Sequence, residues 1–300
     1  MKKKTYLFAL MAMAMTWSGC SDSEDVMGGE KSQLITVSTS IGNMSRVATD
    51  ANGGQTFEEG DEISVYAWMG EANVAPKAEA LVVNNSINKL TDGKWVATPQ
   101  MRWKNNTDPH YFIGIYPAVA VDNLASGAYQ FDVENQEKSD LLVAVNNQGL
   151  SFNKDAQNAV RLEFTHLMAK VIVNLTYKSQ WASTPTVEKV TLANAAQKAT
   201  INYLTKQVAP STENAADIAL PVSKANEKYA SVVIPQTGIQ KITVSIDNKN
   251  FVFDNGTPFS LESGKTTIIN LSVGRDEITL NDVKIADWAD GDIIPGEALD

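Results

Sequence analysis

Apolar and β-branched residues fall on alternate positions through most of this chain, with turn-forming residues interrupting them at short spacing. Ile35, Val37, Thr39 and Ile41 share one side of an extended segment, and Thr36, Ser38 and Ser40 share the other. After the turn Glu58-Glu59-Gly60-Asp61, the stretch Glu62–Trp68 alternates again. A side-chain period of two belongs to strands, and no long stretch keeps the 3.6-residue period of a helix. Lys94–Val96, Tyr111–Tyr116 and Leu141–Val145 continue the series. A polar break at Asn146–Asn158 precedes a second group, which begins with the longest apolar run, Val160–Leu175. Further predicted strands are Val187–Leu192, Ala230–Ile234, Lys241–Ile246, Asn250–Phe253, Thr266–Leu271 and Glu277–Ile285. Asn194–Ala199 and Thr212–Ala219 are Ala-rich but too short to stand as helices. The pattern predicts an all-β protein with two tandem β-sandwiches, residues 34–157 and 158–300.

The start of the chain predicts where it goes. Lys2, Lys3 and Lys4 precede a mostly apolar stretch, Thr5–Thr16, too short to span a bilayer. The small pair Ser18-Gly19 before Cys20 resembles a bacterial lipobox, with Trp17 where an aliphatic residue is usual. Residues 1–19 are then a lipoprotein signal peptide, and Cys20 becomes the acylated N-terminus. The acidic run Ser21–Asp25 resembles a surface-export signal of Bacteroidetes lipoproteins, and residues 20–33 are a polar tether. The expected location is the outer membrane and cell surface, with stable anchoring by more than one acyl chain.

Cys20 is the only cysteine of the 300 residues. No disulfide can form within the chain, and no Cys-ligated zinc site exists. Stability must come from a buried apolar core, which 43% apolar residues allow. Loss of residues 1–19 removes three of the 25 basic residues and none of the 35 acidic ones, leaving a net charge of −13. Such a balance disfavours nucleic acid and anionic headgroups, which need clustered Lys and Arg.

Catalytic constellations are missing. The two histidines, His110 and His166, stand far apart, and neither has a partner in motif spacing. His166, in an apolar run, is read as structural. Ser263-Gly264-Lys265-Thr266 imitates the end of a P-loop, but Phe259 occupies the position of the first glycine. That segment is a turn into a strand. The acidic segments Asp50–Gly54 and Asp287–Asp292 do not fit a calcium loop, so no metal or other cofactor is assigned. Trp68, Trp95, Trp103 and Trp181 fit a core better than a sugar-binding platform. Nothing points to an enzyme.

Several segments together resemble one family. They are Phe57-Glu-Glu-Gly60-Asp61-Glu-Ile63-Ser-Val65-Tyr66, Tyr111–Pro117, Asp140-Leu-Leu, Leu162-Glu-Phe164-Thr-His166 through Val171, Ser263-Gly264-Lys265 and Ile285-Ala-Asp287-Trp288. In this order they are similar to landmarks of the fimbrillins, the Mfa-like subunits of type V pili in Bacteroidetes. The resemblance implies two transthyretin-like β-sandwich domains. It also implies export as a lipoprotein, followed by removal of the N-terminal segment and first strand by an arginine-specific surface protease. A strand from another fimbrial subunit then fills the vacated groove, and the fimbria supports adhesion or biofilm formation.

Carried onto this chain, the processing site is Arg46, with Val47 as the new N-terminus. Arg46 is the only basic residue from Gln33 through Pro76, between the first strand and the Asp50–Gly54 turn. The donor strand would come from the C-terminus, around Glu277–Ile285 with the tail Ala289–Asp300. That tail is short, with Ile293, Ile294 and Leu299 as its large apolar residues, so a shaft, tip or anchor role stays open. The alternative function is a monomeric surface lipoprotein that binds a glycan or host protein.

Overall fold

The computed structural model describes residues 33–42, 56–132, 134–213 and 215–288. Cys20, Arg46, Val47 and the tail Ala289–Asp300 lie outside the described residues. Numbered in chain order, the first strands are β1 (Val37–Ile41), β2 (Glu62–Met69), β3 (Leu81–Thr91), β4 (Lys94–Thr98), β5 (His110–Tyr116) and β6 (Gly127–Gln130). Next come β7 (Leu142–Leu150), β8 (Val160–His166), β9 (Ala169–Tyr177), β10 (Val187–Ala195), β11 (Lys198–Asn202), β12 (Gln207–Ser211) and β13 (Ala216–Ala219). The last are β14 (Val222–Lys224), β15 (Lys228–Val233), β16 (Gln236–Ile246), β17 (Lys249–Leu261), β18 (Lys265–Val273) and β19 (Ile278–Asp287). Helix is confined to single turns, and among the described residues none is long and apolar enough to cross a membrane.

The strands form four sheets. The largest has the order β1-β8-β7-β5-β2-β3-β4. The others are β13-β10-β16-β17, β14-β15-β9-β18-β19 and β12-β11-β6. This is the predicted all-β class.

The central strands β2 and β5 of the seven-stranded sheet are buried on both faces, which explains why they read as nearly unbroken apolar runs. Ile63, Val65 and Ala67 of β2 join Phe112, Leu142 and Ala144 in one apolar cluster. Their neighbours Tyr66, Trp68, Ile113, Ile115 and Val143 point the other way, into a second cluster. That second cluster runs on through Val171, Leu192, Ile201, Ile242 and Leu271 of the other sheets.

Strand β8 pairs antiparallel with β7 and parallel with β1, so it belongs to the seven-stranded sheet. The polar stretch after Val145 is not a linker but the end of β7 and a helical turn. Asn146 is buried there because its amide donates to the Arg161 carbonyl of β8, 3.0 Å away. The long apolar run Val160–Leu175 crosses between sheets at Leu167-Met168 instead. Gly264 N–H donates to the Met168 carbonyl (2.8 Å), and Ser263 Oγ donates to the Leu167 carbonyl (2.8 Å). The P-loop imitation is thus a turn that pins this crossing, with Gly264 at φ +68°.

Candidate functional site

The site is built around the first strand. β1 runs parallel to β8 with Val37 opposite Val160 and Ile41 opposite Phe164. The Thr36 carbonyl accepts from Val160 N–H at 2.8 Å, and Gly42 N–H donates to the Phe164 carbonyl at 2.7 Å. Just before β1, the backbone pairs on its other side. Ile35 N–H donates to the Met101 carbonyl, and Trp103 N–H donates to the Gln33 carbonyl, both at 2.9 Å. Residues 101–103 follow β4, at the far end of the sheet order. Residues 33–42 therefore tie the two edges of the seven-stranded sheet together.

The predicted inward face is the observed one. Ile35 is 2% exposed and Val37 7% exposed, whereas Thr36 and Ser38 face solvent. Ile35 and Val37 share a cluster with Met101, Trp103, Val160, Leu162 and Phe164. Thr39 lies next on that face, and the Trp95 indole Nε1–H donates to its hydroxyl at 3.0 Å. Ile41 is partly buried and packs on the rim of the same cluster. Each buried aliphatic side chain stabilises the closed form by roughly 1.5–3 kcal/mol. Taking β1 away would expose that surface together with the backbone groups of β8 and of residues 101–103.

Gly42 and Phe57 both meet Phe164. Gly42 bonds its carbonyl, and Phe57 packs edge-on against its ring with centroids 5.1 Å apart. Phe57 also meets Trp95 at 5.3 Å and Tyr116 at 5.2 Å, each edge-on. The turn behind Phe57 is held on the β3–β4 hairpin. Gly60 N–H donates to the Leu90 carbonyl (3.0 Å), and the Glu59 carboxylate accepts from Asp92 N–H (2.7 Å). Tyr116 O–H donates to Asp61 at 3.2 Å. Three separated landmarks, Phe57–Asp61, Tyr116 and Phe164, thereby converge at one end of β1.

A second convergence lies at the end of β8. His166 Nδ1 sits 2.9 Å from Asp140 Oδ2, and its ring stacks on Trp288 with centroids 4.2 Å apart and planes 9° from parallel. Asp140 and Trp288 come from two further landmarks, and His166 from the same one as Phe164. With the imidazole side chain 5% exposed, this cluster fastens Trp288, the residue after β19, onto the end of β8 and offers no substrate access. His110 is also enclosed. Lys104 N–H donates to its Nε2 at 3.2 Å, Nδ1 faces the Asp108 carbonyl at 2.9 Å, and Trp103 packs edge-on at 5.0 Å. On the solvent side of β8, Lys206 donates to Thr165 Oγ1 at 3.1 Å. Partial burial lowers the Lys206 pKa, and Glu163 partly opposes that.

Trp68 and Trp103 are core residues, and Trp95 and Trp181 are half-buried. Among the described residues no three His, Cys, Asp or Glu side chains gather as metal ligands. The sequence did not single out Trp95, Met101 or Trp103 as partners of the first strand. Their strand spacing is that of any core residue, and only the closing of the sheet brings them to β1.

Comparison with known proteins agrees with this architecture. A family model described as fimbrillin-like matches residues 45–288. Among curated proteins none matches. A candidate cell adhesion protein of Bacteroides ovatus ATCC 8483 superposes with a TM-score of 0.65 at 19% identity, covering 86% of this chain and 98% of that one. Another, of Bacteroides uniformis ATCC 8492, gives 0.65 at 16% identity over 85% and 98%. A fimbrial protein of Bacteroides vulgatus ATCC 8482 gives 0.52 at 13% identity over 85% and 99%. At these identities the structural matches speak for the fold, and the family model covers most of the chain: the chain belongs to the fimbrillin-like family.

Proposed function

We propose that this protein is a structural subunit of a cell-surface fimbria, in which β1 is a placeholder strand removed before assembly. The observation that carries this reading is the position of β1. It closes two sheet edges, buries Ile35 and Val37, and leads directly into the segment containing Arg46. An arginine-specific surface protease would cut after Arg46, leaving Val47 as the N-terminus. Departure of β1 would expose a hydrophobic slot and unpaired backbone groups, which together make a template for another strand. An extended segment of another subunit satisfies both at once by strand addition.

Cys20 carries the lipid that brings the precursor to the outer membrane surface, and cleavage releases the subunit from it. The donor would come from the region of β19, whose Val283 and Ile285 are 37% and 49% exposed on an edge strand. Two tandem sandwiches are part of this reading. Adhesion or biofilm formation would be the output of the assembled fimbria.

The test is proteolysis of the full chain by an arginine-specific protease, followed by electrophoresis without boiling. The expected result is a heat-labile ladder from the parent chain and none from Arg46→Ala. Equal assembly by the Arg46→Ala variant would sink the processing step.

A further inference from the structure

The slot occupied by β1 is not uniformly apolar. Its first two inward positions, Ile35 and Val37, are enclosed by aliphatic and aromatic groups, and its fourth, Ile41, packs at the rim. The third is different. Thr39 is met by an N–H donor, the Trp95 indole, at 3.0 Å. Trp95 is held from both sides: β4 pairs it with Leu90, and Phe57 packs edge-on against its ring. Its N–H is therefore aimed at the strand position rather than free to turn away.

An indole N–H donates only, so whatever strand lies in the slot must offer it an acceptor at that place. A donor left without a partner where water cannot reach it costs more than the net gain of the bond itself. We infer that Trp95 is a specificity-determining residue of the slot, selecting strands that carry a side-chain oxygen at the third inward position. The pattern it selects is aliphatic, aliphatic, oxygen-bearing and aliphatic on alternate residues, entering parallel to β8. This rests on the strand-exchange reading above and adds to it which strands are accepted.

Mere hydrophobic complementarity would give the opposite preference. Replacing the threonine hydroxyl by a methyl group keeps shape and adds apolar surface, so a valine strand would then bind more tightly. The sign of one substitution separates the two accounts.

The experiment uses the full chain cut after Arg46 and challenged with labelled synthetic peptide Leu34–Gly42. Versions of that peptide carrying Thr39→Ser and Thr39→Val are compared with it. The expected result is that the serine peptide binds within about threefold of the parent and the valine peptide about tenfold more weakly. On the Trp95→Phe chain, which lacks the N–H, the valine peptide should bind at least as tightly as the other two. Equal or tighter binding of the valine peptide to the parent chain overturns the assignment of Trp95 while leaving strand exchange standing. If no peptide enters, strand exchange fails, and the assignment falls with it. A double-mutant cycle of Thr39→Val and Trp95→Phe in the uncut chain then reads the bond alone. Absence of coupling there also overturns the assignment.

Discussion

His166 lies flat against Trp288, with ring centroids 4.2 Å apart and planes within 9° of parallel. One ring ends the strand that holds β1, and the other follows β19, at the C-terminal end of the described chain. Asp140 orients the imidazole from the side, and Lys170 Nζ lies 5.7 Å from the Trp288 ring centroid. Loss of a buried indole leaves a large void, so Trp288→Ala should lower unfolding stability by about 3 kcal/mol in urea titration. Trp288→Phe should recover part of that by keeping an aromatic ring on the histidine. An unchanged midpoint in the alanine variant would mean that this stack does not secure the end of β19.

Gly114 tests the packing beneath the slot. A Cβ at this position would come 2.6 Å from Phe164 Cζ and 3.1 Å from Leu162 Cδ1, both on β8. The backbone of β5 needs this close approach for the Phe164 ring to fill the cluster. Gly114→Ala should therefore destabilise the chain by about 1–3 kcal/mol through overpacking, again by urea titration. A neutral effect would show that Phe164 can move aside freely.

Within β1 the two faces should behave oppositely. Ile35→Ala removes apolar contact and leaves a cavity between Met101 and β8, at a cost of about 2–4 kcal/mol. Ser38→Ala, on the exposed face, should change stability by no more than about 0.5 kcal/mol. Thermal or chemical unfolding of the uncut chain measures both. Similar effects at the two positions would contradict the observed orientation of the strand.

His110 gives a pH dependence of known sign. Burial pushes its pKa below the ordinary 6.5, with the Asp108 and Leu150 carbonyls partly opposing. The unfolded chain then takes up a proton more readily than the folded one as pH falls below 6.5. Stability from this residue is present above that pH and is lost as pH falls from 6.5 toward the lower folded value. The slope of unfolding free energy against pH just below 6.5 should be smaller in His110→Gln than in the parent. Identical slopes would show that His110 does not contribute to the acid response.

Much of the fold was legible because burial left its period in the residues. Ile35 and Val37 alternate with Thr36 and Ser38, and the structure buries the first pair. β2 and β5 were equally plain, since a sheet covered on both faces keeps apolar residues on both sides. β3 was not legible. It is absent from the predicted strands because Asn84, Asn85, Ser86 and Asn88 interrupt its apolar alternation, and Asn85 takes a positive φ of 55° where the pairing with β2 shifts register. β7 was cut short for a similar reason, because Asn146 serves as a cross-strand hydrogen-bonding residue. At the site, the landmark residues were visible, but their convergence on Phe164 and His166 was not. The contact between Trp95 and Thr39 joins residues 56 positions apart, and no local pattern carries that information.

The most direct measurement of the central claim is amide exchange at Val160. Its N–H donates to the Thr36 carbonyl of the segment leading into β1 at 2.8 Å, so its protection reports whether the slot is filled. It should be slow in the uncut full chain. It should become fast once the chain is cut after Arg46 and the N-terminal fragment has left, and slow again in the assembled ladder. A Val160 amide that stays equally protected in the cut, unassembled subunit would contradict the account, because the slot would then have closed without any incoming strand.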